Sequence, residues 1–113
     1  MTIVVVEYRF REPVSEEQLS AISRDLDPVL ARLDASWQRS YVSEDRLRMI
    51  CEFEAKNEKS VTDAHLEVSV PFEAIWRATR WTLEEMKAQQ AHEQIEKAKE
   101  AGKTKKVTRP EAR

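Results

Sequence analysis

The chain has 113 residues, of which 41% are apolar and 35% charged, and its formal net charge is −2. This size and balance are typical of one soluble globular domain with a modest core, and they give no electrostatic basis for binding nucleic acid or acidic lipid. The single cysteine and single glycine exclude an internal disulfide, a cysteine zinc cluster within one chain and the glycine-rich phosphate loops of nucleotide-binding proteins.

The first third of the chain predicts a strand followed by a helix. Residues 3–10 are β-branched and aromatic, which favours a strand, and their apolar run is too short for a signal peptide or membrane span. We therefore expect a cytoplasmic protein without a membrane partner. Ser15 opens an S-x-x-Q capping box, and apolar residues follow at helical spacing as far as Leu33. Pro28 interrupts this helix and predicts a kink, or a fresh start with Asp27 as the cap.

The middle of the chain predicts a hairpin, a short helix and a fourth strand. Residues 36–42 and 47–55 form the hairpin around residues 43–45, residues 60–68 form the helix with Ser60 as a plausible cap, and residues 75–81 form the strand.

The C-terminal part predicts one more helix and a tail. Thr82 and Glu85 suggest a second capping box, and Gly102 would end the helix that follows. The basic segment after it is interpreted as a disordered tail, with a nucleic-acid-binding arm as the alternative.

The order β-α-β-β-α-β indicates an α+β fold of the ferredoxin-like type. It predicts one antiparallel sheet with both helices on one face, plus a C-terminal helical extension. We assign residues 1–81 to the ferredoxin-like domain, residues 82–102 to the C-terminal helix and residues 103–113 to a basic flexible tail.

Side-chain alternation separates the two faces of the predicted sheet. Met49, Cys51 and Phe53 should lie under the helices, as should Val4, Val6, Tyr8 and Phe10. Glu7 and Glu52 should project from the central strands onto the helix-free face, where Arg39 and Arg77 would join them. A bare face rich in Ile, Val and Trp predicts a homodimer that encloses a cavity lined by carboxylates and arginines. The alternative is an ordinary set of interface salt bridges.

Four residues are candidate metal ligands, and three are candidate ligand-binding residues. Glu7 and Glu52 offer carboxylates that could bind a cation or act as an acid–base pair, His65 offers an imidazole and Cys51 a sulfur. The simpler interpretations are packing for His65 and a small buried hydrophobe for Cys51. Trp37, Arg39 and Tyr41 could wall a pocket and orient a small molecule, or simply fill a core or interface.

Three segments carry a family resemblance. The pattern W-x-x-S-Y-V-S begins at Trp37, C-E-F-E-A begins at Cys51, and Ala64-His65 follows. Together with V-E-Y-R-F from Val6, they resemble a family of small bacterial proteins whose best-known type is a nickel-binding protein. The resemblance covers roughly residues 3–76 and implies a ferredoxin-like α+β fold, dimers and possible nickel binding. The chain departs from that family at Phe53, where tyrosine is usual, and at Val68-Ser69-Val70-Pro71, where a Gly-Leu-Pro turn is common.

These observations lead to one functional hypothesis and two alternatives. The hypothesis is a small non-enzymatic binding protein that forms a homodimer and binds nickel or a similar divalent metal. The first alternative is a cofactor-independent enzyme of the monooxygenase or isomerase type, acting on a small molecule. It depends on analogy between dimeric α+β barrels alone. The second is a structural partner module that uses the terminal helix and tail.

Overall fold

The computed structural model describes the backbone of residues 1–99 and the side chains of residues 1–95. The chain divides into two units, residues 1–79 and residues 80–113. The first unit carries the sheet and two helices, and the second carries the remaining described helix.

The first unit is a four-stranded antiparallel sheet with order β2-β3-β1-β4. The elements are β1 (Thr2–Arg9), α1 (Glu16–Arg32), β2 (Ala35–Val42), β3 (Arg48–Ala55), α2 (Glu58–Glu67), β4 (Ala74–Ala78) and, in the second unit, α3 (Leu83–Lys99). This order confirms the predicted ferredoxin-like α+β fold with a C-terminal helix, and it places β1 and β3 in the centre as expected.

The core lies between the two helices and one face of the sheet. Alternate residues of the central strands are buried there, and α1 and α2 supply the opposing side chains: Val4, Val6, Tyr8, Met49, Cys51, Phe53, Leu26, Val29, Leu30, Val61 and Ala64. Fully burying a large apolar side chain of this kind contributes roughly 1.5–3 kcal/mol. The predicted division of β1 and β3 into two faces is therefore confirmed.

One helix passes through Pro28, so the predicted alternative of a new helix at Asp27 is wrong. Ser15 and Gln18 cap its beginning with reciprocal bonds of 3.0 and 2.8 Å. Leu26 and Leu30, on either side of the proline, are buried in the core. Their burial outweighs the backbone hydrogen bond that a proline inside a helix removes.

Helix α2 begins earlier than the sequence predicted, because Asn57 and not Ser60 is its cap. The Asn57 side chain accepts hydrogen bonds from the Ser60 backbone N–H at 2.9 Å and the Ser60 hydroxyl at 3.0 Å. Asparagine and serine have similar N-cap preferences, so only the backbone geometry distinguishes the two positions.

A left-handed residue in the hairpin loop and a bulge within β2 determine how β2 and β3 pair. Arg46, in the hairpin loop, has a positive φ of 63°, and Asp45 accepts a bond from the Leu47 backbone N–H at 3.0 Å. In β2 the register shifts between Trp37 and Arg39. This bulge reverses the alternation of side chains, so that Trp37 contacts the core while Arg39 faces the opposite side.

Helix α3 begins with the predicted capping box. The Thr82 backbone N–H donates to Glu85 at 2.9 Å, and the Glu85 backbone N–H donates to the Thr82 hydroxyl at 3.0 Å. Its larger apolar side chains, Leu83, Met86 and Ile95, are exposed. The predicted helix end near residue 102 and the tail at 103–113 lie outside the described residues. Among the described helices, none has the length and apolar character needed to cross a membrane.

Candidate functional site

The face of the sheet that no helix of the first unit covers is called the open face. Paired residues on neighbouring strands project to the same side of a sheet, so the strand register identifies its members. They are Ile3, Val5, Glu7 and Arg9 of β1, Arg48, Ile50, Glu52 and Glu54 of β3, Ser36, Arg39 and Tyr41 of β2, and Ala74, Trp76 and Ala78 of β4.

Three large apolar or aromatic residues on the open face are exposed. Tyr41 is 69% exposed, Ile50 45% and Trp76 44%. Tyr41 and Ile50 are direct partners on β2 and β3, whereas β1 lies between Ile50 and Trp76 of β4. Exposed apolar side chains that form a contiguous patch with a polar rim are typical of an interaction surface.

The two carboxylates predicted for this face lie there. Glu7 and Glu52 are diagonal neighbours, because Val5 pairs with Glu52 and Glu7 pairs with Ile50. Such diagonal positions are roughly 7–8 Å apart. Glu7 accepts a hydrogen bond from the Trp76 indole N–H at 2.8 Å, and Glu52 lies 3.6 Å from the Arg39 guanidinium.

Arg77 does not join these carboxylates, contrary to the sequence-based expectation. It pairs with Val4, whose side chain is buried under the helices. Arg77 therefore projects to the helix-covered side. Trp76 lies on the open face in the position expected for Arg77, because the alternation of side chains along β4 is shifted by one residue from the expected one.

A cleft of about 300 Å³ lies at the end of the open face nearest the β2–β3 hairpin. Among its lining residues are Glu7, Arg9, Tyr41, Arg48, Ile50 and Glu73. Tyr41 was predicted as a ligand-binding residue, whereas Arg9 and Arg48 were not. Alternation alone predicts the face of each arginine, but only the pairing of β1 with β3 places them side by side.

The other two predicted ligand-binding residues lie in a different place. Trp37 and Arg39 line a cavity of about 330 Å³ between α1 and β2, together with Leu19, Ser23, Asp27, Gln38, Ser40, Val42 and Met49. The structure therefore does not bring Trp37, Arg39 and Tyr41 to one cavity.

His65 belongs to a chain of hydrogen bonds inside the core. The His65 Nδ1 atom lies 2.8 Å from the Val61 carbonyl oxygen, which can only accept, so Nδ1 carries the proton. The Nε2 atom then accepts from the Tyr8 hydroxyl at 2.5 Å. Sequence reasoning placed Tyr8 under the helices but missed it as the partner of His65.

Cys51 belongs to a second set of hydrogen bonds, which reaches the surface through Ser40. The Ser40 hydroxyl lies 2.9 Å from the Cys51 sulfur and accepts from the Trp37 indole N–H at 2.8 Å.

Within one chain, burial keeps the Cys51 thiol protonated and hydrogen bonds occupy both ring nitrogens of His65. Burial raises the pKa of the Cys51 thiol to about 11, which the hydrogen bond from Ser40 only partly offsets. The thiolate is the metal-binding form of cysteine. Burial lowers the pKa of His65 and keeps it neutral, but both of its ring nitrogens are occupied by hydrogen bonds.

Within residues 1–95, the candidate ligands do not fit a nickel site formed by one chain. Glu7 and Glu52 lie on the open face, whereas His65 and Cys51 lie on the opposite, helix-covered face. In the part of the chain that the structure describes, no three His, Cys, Asp or Glu side chains are grouped so that they could hold a metal ion. Nickel favours imidazole donors, and the candidate imidazole is buried on the side away from the carboxylates.

The fold and the open face define a small α+β protein of the ferredoxin-like class, in which α1 and α2 cover one face of the sheet. Residues 5–77 match the family described as SCO4226-like, nickel responsive protein. The chain belongs to this family, which confirms the resemblance to a small bacterial family.

A solved structure shares the fold. It is described as the crystal structure of SCO4226 from Streptomyces coelicolor A3(2), and it is 11% identical to this chain with a TM-score of 0.64. The similarity covers 71% of this chain and 99% of that one. A comparison with curated proteins finds no match.

Proposed function

We propose that this chain is a small non-enzymatic binding protein. It acts as a homodimer in which the open faces of two copies pack against each other. The observation that carries the proposal is the exposure of Tyr41, Ile50 and Trp76 on the helix-free side of the sheet. A second copy packed there would remove this apolar surface from water, at a gain of roughly 25 cal/mol per Å² of apolar area buried.

The charges around this patch support pairing between copies. Arg9, Arg39 and Arg48 lie on the open face with Glu7, Glu52 and Glu54. A two-fold axis presents the same surface from both sides, so the arginines of one copy can face the carboxylates of the other.

The family description makes nickel or a similar divalent metal the candidate ligand of this dimer. Because the described residues of one chain offer no fitting donor set, the proposed metal site takes donors from the second copy. Glu7 and Glu52 are the carboxylates that each copy would present toward the space between the two sheets. A hard oxygen donor set of this kind also suits Mn²⁺ or Mg²⁺, so these ions belong in the same test.

The homodimer is tested by the mass of the protein in solution. Sedimentation velocity should give twice the 13.2 kDa of one chain, and Ile50→Asp should reduce it to one. Leu66→Asp is the matched control, since Leu66 is 64% exposed on α2 and away from the sheet. A monomeric wild-type protein, or equal effects of the two substitutions, would refute the proposal.

The metal is tested by calorimetric titration of chelator-treated, tag-free protein with Ni²⁺, Mn²⁺ and Mg²⁺. Saturation at one ion per two chains is expected, and Glu7→Gln and Glu52→Gln should each weaken it about tenfold or more. Glu44→Gln removes the same charge in the hairpin loop and should leave binding unchanged. Absence of heat with all three ions would reject metal binding and leave the homodimer to its own test.

A cytoplasmic location is part of the same proposal. Fractionation of the producing cells, with detection by an antibody against the chain, should recover it with the cytoplasmic proteins. Recovery with the membranes or the medium would contradict this.

A further inference from the structure

We propose that the cleft beside the β2–β3 hairpin is a binding site for a small organic anion, whose acidic group lies between Arg9 and Arg48. This site is formed within one chain and does not depend on the homodimer. The ligand class is an acid with a compact apolar body, its head group being a carboxylate or a phosphate.

The first support is the unusual pairing of the two arginines. Arg9 and Arg48 are direct partners in the register of β1 and β3, and both project onto the open face. Direct cross-strand partners are separated by roughly 4.5–5.5 Å between Cα atoms, and like charges at this spacing destabilise a sheet. An anion placed between the two guanidinium groups relieves that repulsion.

The acidic side chains already near the two arginines interact with them only weakly, so both guanidinium groups can still bind an added anion. Arg9 is 3.9 Å from Glu73, and both side chains of this pair are more than half exposed, so the pair is weak. Arg48 forms no ion pair within 4 Å among the described residues, although its charge helps to lower the pKa of Asp45, after hydrogen bonds from Ser43 and Leu47. Arginine is suited to binding such an anion, because its planar guanidinium group binds carboxylate or phosphate through two parallel hydrogen bonds.

The second support is the shape and composition of the cleft. Its volume of about 300 Å³ is at the lower end of the range for small-molecule sites. Ile50 and Tyr41 line it beside the arginines and offer apolar contact for the body of a ligand. Glu7 lines the cleft two residues from Arg9 along β1, a rise of roughly 7 Å. Its negative charge therefore directs an acidic group toward the arginine end.

The test uses benzoate, phenyl phosphate and benzamide as probes, each titrated into ¹⁵N-labelled full-length protein and followed by NMR. We expect saturable shifts around the cleft with benzoate or phenyl phosphate and none with the uncharged benzamide. The tighter of the two anions identifies the head group. Arg48→Gln, alone and with Arg9→Gln, should weaken binding about tenfold or more.

Arg77→Gln is the matched control, because it removes the same charge from an exposed β-strand residue on the other face of the sheet. It should change affinity less than about twofold at constant salt. Equal binding of benzoate and benzamide, or equal losses in Arg48→Gln and Arg77→Gln, would overturn the proposal.

Sedimentation of the same samples separates this proposal from the homodimer. A monomer that binds benzoate through Arg48 would refute the homodimer and retain the anion site. A dimer that binds neither anion, and that dissociates in Arg48→Gln, would assign the arginines to the subunit interface and overturn the anion site.

Discussion

The core contains buried polar atoms that are hydrogen-bonded to other buried groups. His65 is fully buried, yet both of its nitrogens have partners, the Tyr8 hydroxyl and the Val61 carbonyl. A buried polar group costs little when every donor and acceptor is satisfied, and a great deal when one is left without a partner. These hydrogen bonds therefore favour one particular packing of the core side chains over alternatives that would leave a polar atom without a partner.

Removal of the Tyr8 hydroxyl should therefore destabilise the protein. Tyr8→Phe leaves the His65 Nε2 atom without this partner, at an expected cost of about 1–3 kcal/mol in the free energy of unfolding. Urea denaturation measures it. The control is Tyr41→Phe, since the Tyr41 side chain is 69% exposed, and it should change stability by less than about 0.5 kcal/mol. Equal stability of the two variants would contradict the buried hydrogen-bond chain.

The buried imidazole also predicts a pH dependence. Burial lowers the pKa of His65 below its ordinary value of 6.5, so the unfolded state binds a proton at higher pH than the folded state does. The contribution of His65 to stability is thus fully present above pH 6.5 and is lost as the pH falls toward the lowered pKa.

An NMR titration of the imidazole signals measures this directly, with His92→Gln to assign the two histidines. His65 should titrate below 6.5. A His65 midpoint at or above 6.5 would show that the ring is not held neutral by burial.

At the scale of single elements, helix α2 ends without a glycine, because the single glycine of the chain is Gly102. Helix α2 ends in a Schellman motif, in which the Val70 backbone N–H donates to the His65 carbonyl at 2.9 Å and the Ser69 backbone N–H donates to Leu66 at 3.2 Å. Ser69 has a φ of 58°, the left-handed region that glycine occupies most readily. This geometry explains why a glycine is common at the turn in proteins that this sequence resembles.

Ser69→Gly should consequently stabilise the protein. It relieves the left-handed strain but adds freedom to the unfolded chain, and the expected net gain is about 0.5–1 kcal/mol in the free energy of unfolding. Ser20→Gly makes the same change at an exposed position inside α1 and should destabilise by about 0.5 kcal/mol. Thermal or urea unfolding compares them, and the same sign for both substitutions would contradict the assigned turn.

At the scale of the whole molecule, the sheet is the feature that relates structure to function. One face carries the core and the other exposes Tyr41, Ile50 and Trp76. The proposed homodimer and the proposed anion site are both consequences of that asymmetry. They share Tyr41 and Ile50, which belong to the apolar patch and also line the cleft, so sedimentation of the titrated samples is needed to separate them.

Local patterns in the sequence were sufficient for the fold and for much of the face assignment. The order of strands and helices, the capping boxes at Ser15 and Thr82, and the placement of Glu7 and Glu52 on the helix-free face all follow from periodicity and cap chemistry. These signals are local, because each depends on residues a few positions apart. The continuity of α1 through Pro28 was not predictable in the same way, since it depends on burial against the rest of the core.

Tertiary structure alone decided which residues meet. The side-by-side position of Arg9 and Arg48, the hydrogen bond from Tyr8 to His65 and the rotation of Arg77 away from the open face all depend on strand register. Alternation separates Cys51 from Glu7 and Glu52, but the place of His65 beside Tyr8 requires knowledge of where α2 packs. Register is set by contacts between segments far apart in the chain, and a shift of one residue moves every side chain of a strand to the other face.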